Sequence, residues 1–214
     1  MTANRLDRRK ARTRAALIAA GRELLTGRDP AEVSIQEITD AADVGFGSFY
    51  NHFTSKQALF ERAFAEVVRE HTALLRMSTS GLTDPAEVLA VVVRKTALLP
   101  VTHPDLARII DRAGLRYVAP PAGIGPLARR FLRHAKDVGR LCYDDVDVAL
   151  ACAGGAALGV LRLGLAEPDP VAADRAGQAA AVALLRMFTL VEGDARRVAA
   201  RPLAIGDTPE ATAR

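Results

Sequence analysis

The densest chemistry in this sequence is cationic and stands near its start. Arg5, Arg8, Arg9, Lys10, Arg12 and Arg14 face a single acid, Asp7. Positive charge at that density suits a polyanionic partner, a nucleic acid or an anionic membrane surface, and equally suits a solvated tail. A second group follows at Phe46-Gly47-Ser48-Phe49-Tyr50-Asn51-His52, with Lys56 just beyond. The Tyr50 hydroxyl and the Lys56 ammonium suit phosphate oxygens. Asn51 or Gln36 can bond adenine in bidentate fashion, and Phe46 can pack on a thymine methyl. Ser34 offers another phosphate contact, and His52 is either one more donor or a plain surface histidine.

Other chemistry is hard to find. There is no HExxH, no paired Glu-x-x-His, no GxSxG elbow and no GKS/T phosphate loop. Gly45-Phe46-Gly47 is too short for a dinucleotide fingerprint and lacks a preceding strand. The four histidines are scattered. The expectation is therefore a protein that is not an enzyme, with no catalytic residue, metal or cofactor. Cys142 and Cys152 read as small core residues in a reducing compartment. The apolar run Val148–Leu161, bracketed by Asp147 and Arg162, is shorter than the roughly 20 residues a bilayer needs. No secretory signal is evident, so a cytoplasmic protein without a membrane partner is expected.

The elements that position these residues are helical. Half of the 214 residues are hydrophobic while aromatics make up 5%, so Ala, Leu and Val must fill the core, and the helix formers among them favour an all-α fold. A first helix spans about 7–25, with Leu17, Ala20, Gly21 and Leu24 in one stripe and Gly27 suited to a left-handed end. Ser34 and Glu37 form a capping box for a second, which buries Ile35, Ile38 and Ala42. Asp43-Val44-Gly45 breaks it, and a third covers about 46–53. Ser55 caps a fourth, running to about Met77 through Leu59, Phe60, Phe64, Val67 and Leu74. Further helices are predicted at about 84–99, 104–113, 124–138, 145–166, 170–191 and 193–200, with breaks at Pro100, Pro104, Pro120-Pro121, Gly139, Pro168 and Pro170. Two short helices joined by a tight turn have the proportions of a helix-turn-helix. Phe46, Phe49, Tyr50 and Phe53 lie at i, i+3, i+4 and i+7, and periodicity alone does not say whether they line a core or a groove.

From Ser34-Ile35-Gln36-Glu37-Ile38 through Ala42-Asp43-Val44-Gly45-Phe46-Gly47-Ser48-Phe49-Tyr50-Asn51-His52-Phe53 to Ser55-Lys56-Gln57-Ala58-Leu59-Phe60, the chain closely resembles the tetracycline-repressor (TetR) family. The likeness covers about the first sixty residues without a gap in the motif. It implies that Tyr50 and Lys56 hold phosphates and that Gln36, Phe46, Gly47, Ser48 and Asn51 face base edges of double-stranded DNA. Phe49 and Phe53 then belong to the core, with Phe46 and Tyr50 exposed. Gly45 stands where many members carry Ser or Thr, so the third helix lacks a side-chain cap, which Gly tolerates. Phe46 occupies a place that is often polar.

The resemblance also implies a DNA-binding domain over 1–54, a ligand-binding and dimerisation domain over 55–205, and a flexible tail over 206–214. Such regulators pair through their last two long helices. Gly155 and Gly159 form a GxxxG pattern in the first of these, and Val182 and Leu185, with Ala179 and Phe188, supply a face on the second. Close packing of two copies, or packing inside one, would offset helical glycines that cost about 1 kcal/mol each. A homodimer would present two recognition helices to a palindromic operator, and a small-molecule effector would release it. Arg112, Tyr117, His134 and Tyr143 are the candidate effector contacts. A helical enzyme, or a module binding acidic protein or lipid through the basic arm, are the rival readings.

Overall fold

The computed structural model describes residues 5–118 and 123–203. The Pro120-Pro121 break and the tail over 206–214 lie outside the described residues. All regular structure among them is helical: α1 (Arg5–Gly27), α2 (Ile35–Ala41), α3 (Phe46–Tyr50), α4 (Lys56–Ser78), α5 (Pro85–Thr102), α6 (Pro104–Ala113), α7 (Leu115–Val118), α8 (Gly125–Asp137), α9 (Val146–Ala166), α10 (Pro170–Met187) and α11 (Glu192–Ala199). The chain forms two compact units, one up to Val67 and one from Val68 onward, and α4 is continuous through the division.

The first unit closes around Leu17, Ile18, Val33, Ile38, Phe49, Phe53, Leu59, Phe60 and Ala63. Each large side chain removed from water in this way stabilises the fold by roughly 1.5–3 kcal/mol. Gly21 faces α4 closely, since a Cβ there would lie 3.2 Å from Leu59 Cδ2. The capping box forms as expected: Ser34 Oγ accepts from the Glu37 amide at 3.1 Å, and the Ser34 amide donates to Glu37 Oε2 at 2.7 Å. The Ser34 amide, and with it the Ser34 hydroxyl, which also donates to Glu37 Oε2 at 2.8 Å, hold the Glu37 carboxyl below its ordinary pKa. Ser55 Oγ likewise accepts from the Ala58 amide at the start of α4.

The turn between α2 and α3 is a Schellman end. The Val44 amide donates to the Thr39 carbonyl and the Asp43 amide to the Asp40 carbonyl, with Asp43 at a φ of 51°. A short polar side chain is the best substitute for glycine in that conformation. Gly45 has an ordinary φ of −64° and opens α3 without a side-chain cap, as its type implied.

In the second unit α5 is the central rod, packed against α9 and α10. Glycines permit the close approaches. A Cβ on Gly164 would come within 3.1 Å of the Pro100 ring, and one on Gly177 within 2.9 Å of Arg94 Cα. Buried Arg94 hydrogen-bonds Asp174 through Nε and Nη2 and the carbonyls of Ala199 and Arg201 through Nη1, which fastens the end of α11. Arg140 binds both oxygens of Asp84 and one of Asp194, joining the start of α5 to α11.

Several expectations are corrected. Pro100 lies inside α5, which continues to Thr102 before Pro104 opens α6. The ring of a proline packed against Gly164 is accommodated where its absent N–H alone would suggest a break. Gly27 is the last residue of α1, and it is not among the residues with positive φ. α3 is shorter than expected, ending at Tyr50, and α10 ends at Met187, with Thr189 in the left-handed region. α7 was not anticipated. Cys142 and Cys152 are exposed rather than in the core. α9 forms over the expected span, and its 21 residues are long and apolar enough to cross a membrane by length and composition alone.

Candidate nucleic-acid interface and effector cavity

The first unit presents an exposed edge built from the two short helices α2 and α3. Phe49 and Phe53 are 0% and 6% exposed, whereas Phe46 and Tyr50 are 47% and 57% exposed. The ambiguity of the aromatic period is thereby resolved: the buried pair anchors α3 and the exposed pair rides on it. Tyr50 packs edge-on to Phe49 with ring centroids 5.4 Å apart and to Phe46 at 6.0 Å. Ser34, Gln36, Gly45, Gly47 and Asn51 are exposed, and Ser48, His52 and Lys56 are half-buried. Gln36 Nε2 donates to Asp40 Oδ1 at 2.6 Å, so reading a base would require that bond to open.

Lys56 has a task that its position alone did not reveal. Its ammonium donates to the carbonyls of Ala31 and Val33 at 2.7 and 2.8 Å. An ammonium has three donors, and these two bonds use two of them. Arg5, Arg8, Arg9, Lys10 and Arg12 are exposed along the first turns of α1, so the cationic arm is helical from Arg5. Arg14 instead lies over the Phe53 ring, 5.0 Å from its centroid.

The second unit encloses a cavity of about 260 Å³ between α4, α5, α7, α8 and α9. Its walls are almost wholly apolar, with Leu75, Leu89, Val93, Phe131 and Leu158 among them. Of the four expected effector contacts, Tyr117 lines it. Arg112 and His134 are exposed and outside the lining. Tyr143 also lies outside, its ring against Phe188 and under the Lys136 ammonium.

Sequence reasoning missed His71, which is 2% exposed, lines the cavity, and is hydrogen-bonded through Nδ1 to the Tyr117 hydroxyl. Burial, with the neighbouring His103, lowers its pKa to about 4. Burial also pushes the Tyr117 hydroxyl well above its ordinary value. A signal was available: His71 follows Val67 by four residues on the apolar face of a strongly patterned helix.

The expected pairing residues divide. Gly155 and Gly159 face outward on α9, with nothing within 4 Å of a Cβ built on either. Val148 and Leu163 extend that exposed face. Gly154 turns inward, where a Cβ would strike the Val118 side chain. Val182 is half-buried. Leu185, by contrast, is fully buried within the chain's own core, as Phe188 nearly is, so neither is available to a partner. Ala179 is exposed on α10. Among the described residues no cluster of His, Cys, Asp or Glu could hold a metal ion.

A helix-turn-helix unit followed by a helical bundle around an apolar cavity defines a class of transcription regulators. Residues 17–63 match the profile of bacterial regulatory proteins of the tetR family, and residues 84–201 match the tetracyclin repressor-like C-terminal domain. The chain belongs to the TetR family. Ligand-free RolR is 30% identical, with 88% of this chain and 97% of that one aligned at a TM-score of 0.67. RolR with resorcinol aligns over 92% and 97% at 29% identity and a TM-score of 0.63. YxbF of Bacillus subtilis (strain 168), an uncharacterised HTH-type transcriptional regulator, is 28% identical over 46% of this chain and 27% of its own length. An uncharacterised HTH-type regulator of Mycobacterium tuberculosis, Rv1255c, is 29% identical over 53% of this chain and 54% of its own. The aligned region thus spans about a quarter to a half of these curated relatives.

Proposed function

We propose that this protein is a cytoplasmic, ligand-responsive DNA-binding repressor that acts as a homodimer on a palindromic operator and is released by a small-molecule effector. The observation that carries the reading is the outward row of Phe46, Gly47, Tyr50 and Asn51 above buried Phe49 and Phe53. Side chains so held present a firm edge to a major groove while Tyr50, Ser34 and Lys56 take phosphates. The positive end of α4 adds to the attraction for the backbone. The basic turns of α1 supply a salt-sensitive, sequence-independent part of the affinity.

Pairing through the exposed face of α9, with Gly155 and Gly159 at the point of closest approach and Val182 beside it, is favoured because no element among the described residues covers the two glycines. The effector occupies the cavity lined by His71 and Tyr117, and the likeness to RolR, whose structure holds resorcinol, supports a small molecule there. It acts by favouring a conformation whose recognition helices no longer fit one duplex.

The test is selection of bound fragments from random DNA with the full chain. One palindromic motif should emerge. Tyr50→Phe and Lys56→Ala should then weaken binding to all fragments alike, while Asn51→Ala changes the preferred motif. Enrichment of no sequence would overturn the reading in favour of a module that binds acidic surfaces.

A further inference from the structure

The cavity holds few polar groups, and most are already committed. The Thr79 hydroxyl, just past the end of α4, donates at 2.8 Å to the Leu75 carbonyl, and that of Thr96 at 2.8 Å to the Val92 carbonyl within α5. Arg76 is the one charged side chain on the lining, and it is exposed. The buried exception is the His71–Tyr117 pair. Both rings are nearly wholly buried, and Nε2 of His71 is buried without a hydrogen-bond partner.

That nitrogen is complementary to a definite kind of group. If the tyrosine hydroxyl donates to Nδ1, the imidazole proton sits on Nε2, which then needs an acceptor. If Nδ1 donates to the tyrosine, Nε2 is an acceptor and needs a donor. A hydroxyl meets either need, whereas a carbonyl meets the first alone. Charge is a poor match. The imidazole is held neutral by burial, the walls are apolar, and an ion placed beside His71 would lose its hydration, with the exposed Arg76 the one charged side chain on the lining. Size follows from volume: a cavity of about 150 Å³ takes benzene, so one of about 260 Å³ takes roughly ten non-hydrogen atoms.

We propose that the effector is an uncharged, hydroxylated hydrocarbon of about ten non-hydrogen atoms, whose hydroxyl pairs with His71 and Tyr117 while its body lies against Leu89, Val93 and Phe131. This rests on the effector reading given above.

Calorimetry on the full chain with para-propylphenol, butylbenzene and para-propylbenzoate tests it. Para-propylphenol should bind about tenfold or more tightly than butylbenzene, because only it completes the buried pair. Para-propylbenzoate should bind most weakly. Tyr117→Phe and His71→Leu should each reduce para-propylphenol to the affinity of butylbenzene and leave butylbenzene unchanged. Four results would overturn the proposal: equal affinity for the phenol and the hydrocarbon, tighter binding of the benzoate, equal weakening of all three ligands by Tyr117→Phe, or no binding of any. DNA selection without ligand is read separately. Its failure beside normal calorimetry would sink the regulator reading and leave the cavity chemistry standing, and the reverse pattern would do the opposite.

Discussion

The ammonium of Lys56, at the first turn of α4, donates to the carbonyl of Val33, the residue just before the cap of α2, over 2.8 Å. The lysine proposed to hold a phosphate therefore also braces the loop before the helix-turn-helix. Lys56→Met, which keeps the stem and removes the donors, should lower the urea-unfolding stability by about 1 kcal/mol. It should also make the dependence of log affinity on log salt shallower by about one unit. A lysine acting only as a brace would change the first quantity and not the second.

Phe46 and Phe49 are three residues apart and meet opposite surroundings. Phe49→Ala should cost about 3–5 kcal/mol, because it empties the centre of the small first core. Phe46→Ala should leave stability within about 0.5 kcal/mol and change which DNA fragments are enriched. Circular dichroism melts and repeated selection check the pair.

Acid should weaken the fold through His71. In the unfolded chain this imidazole titrates near 6.5, and in the folded one near 4. Between those values the unfolded state holds more protons, so this contribution is fully present above about pH 6.5, falls as the pH drops, and levels off below about 4. The slope from this one group reaches at most about 1.4 kcal/mol per pH unit. Denaturant titrations of wild type and His71→Gln from neutral to acid pH should diverge over that interval. Parallel curves would show that the imidazole does not titrate as its burial requires.

Neighbouring glycines on α9 should respond oppositely to a methyl group. Gly154→Ala places a Cβ against Val118 and should destabilise the chain by about 1–3 kcal/mol. Gly155→Ala meets open space within the chain and should stabilise a single copy by up to about 1 kcal/mol. If two copies meet at Gly155, the larger Gly155→Leu should convert dimer to monomer in sedimentation velocity. Unchanged association would remove this face from the interface.

How far these features were legible in the sequence depends on whether their causes are local. Ser34 and Glu37 are three residues apart, and a capping box is decided within one turn, so both the cap and the helix it starts were readable. The burial of Phe49 and exposure of Tyr50 became readable only through resemblance, because the aromatic period fits a core face and a groove face alike. Tyr117 could be named as a candidate but His71 could not. Their pairing joins residues 46 positions apart and depends on α4 meeting α7. Leu185 and Gly155 show the same limit. A small or apolar residue on a helix does not announce whether its face turns toward its own bundle or away, and only the packing of α5 against both helices decides it.

The clasp formed by Arg94 sets a limit on shortening the chain. Its Nη1 donates to the carbonyls of Ala199 and Arg201, so these late peptide groups are partners of a cation at the centre of the second unit. A stop codon just before Ala199 would remove both of these carbonyls and strand one end of a buried guanidinium without acceptors. Such a truncation should therefore cost more than the contacts at the cut end alone suggest, because part of the penalty arises in α5, where the guanidinium is buried.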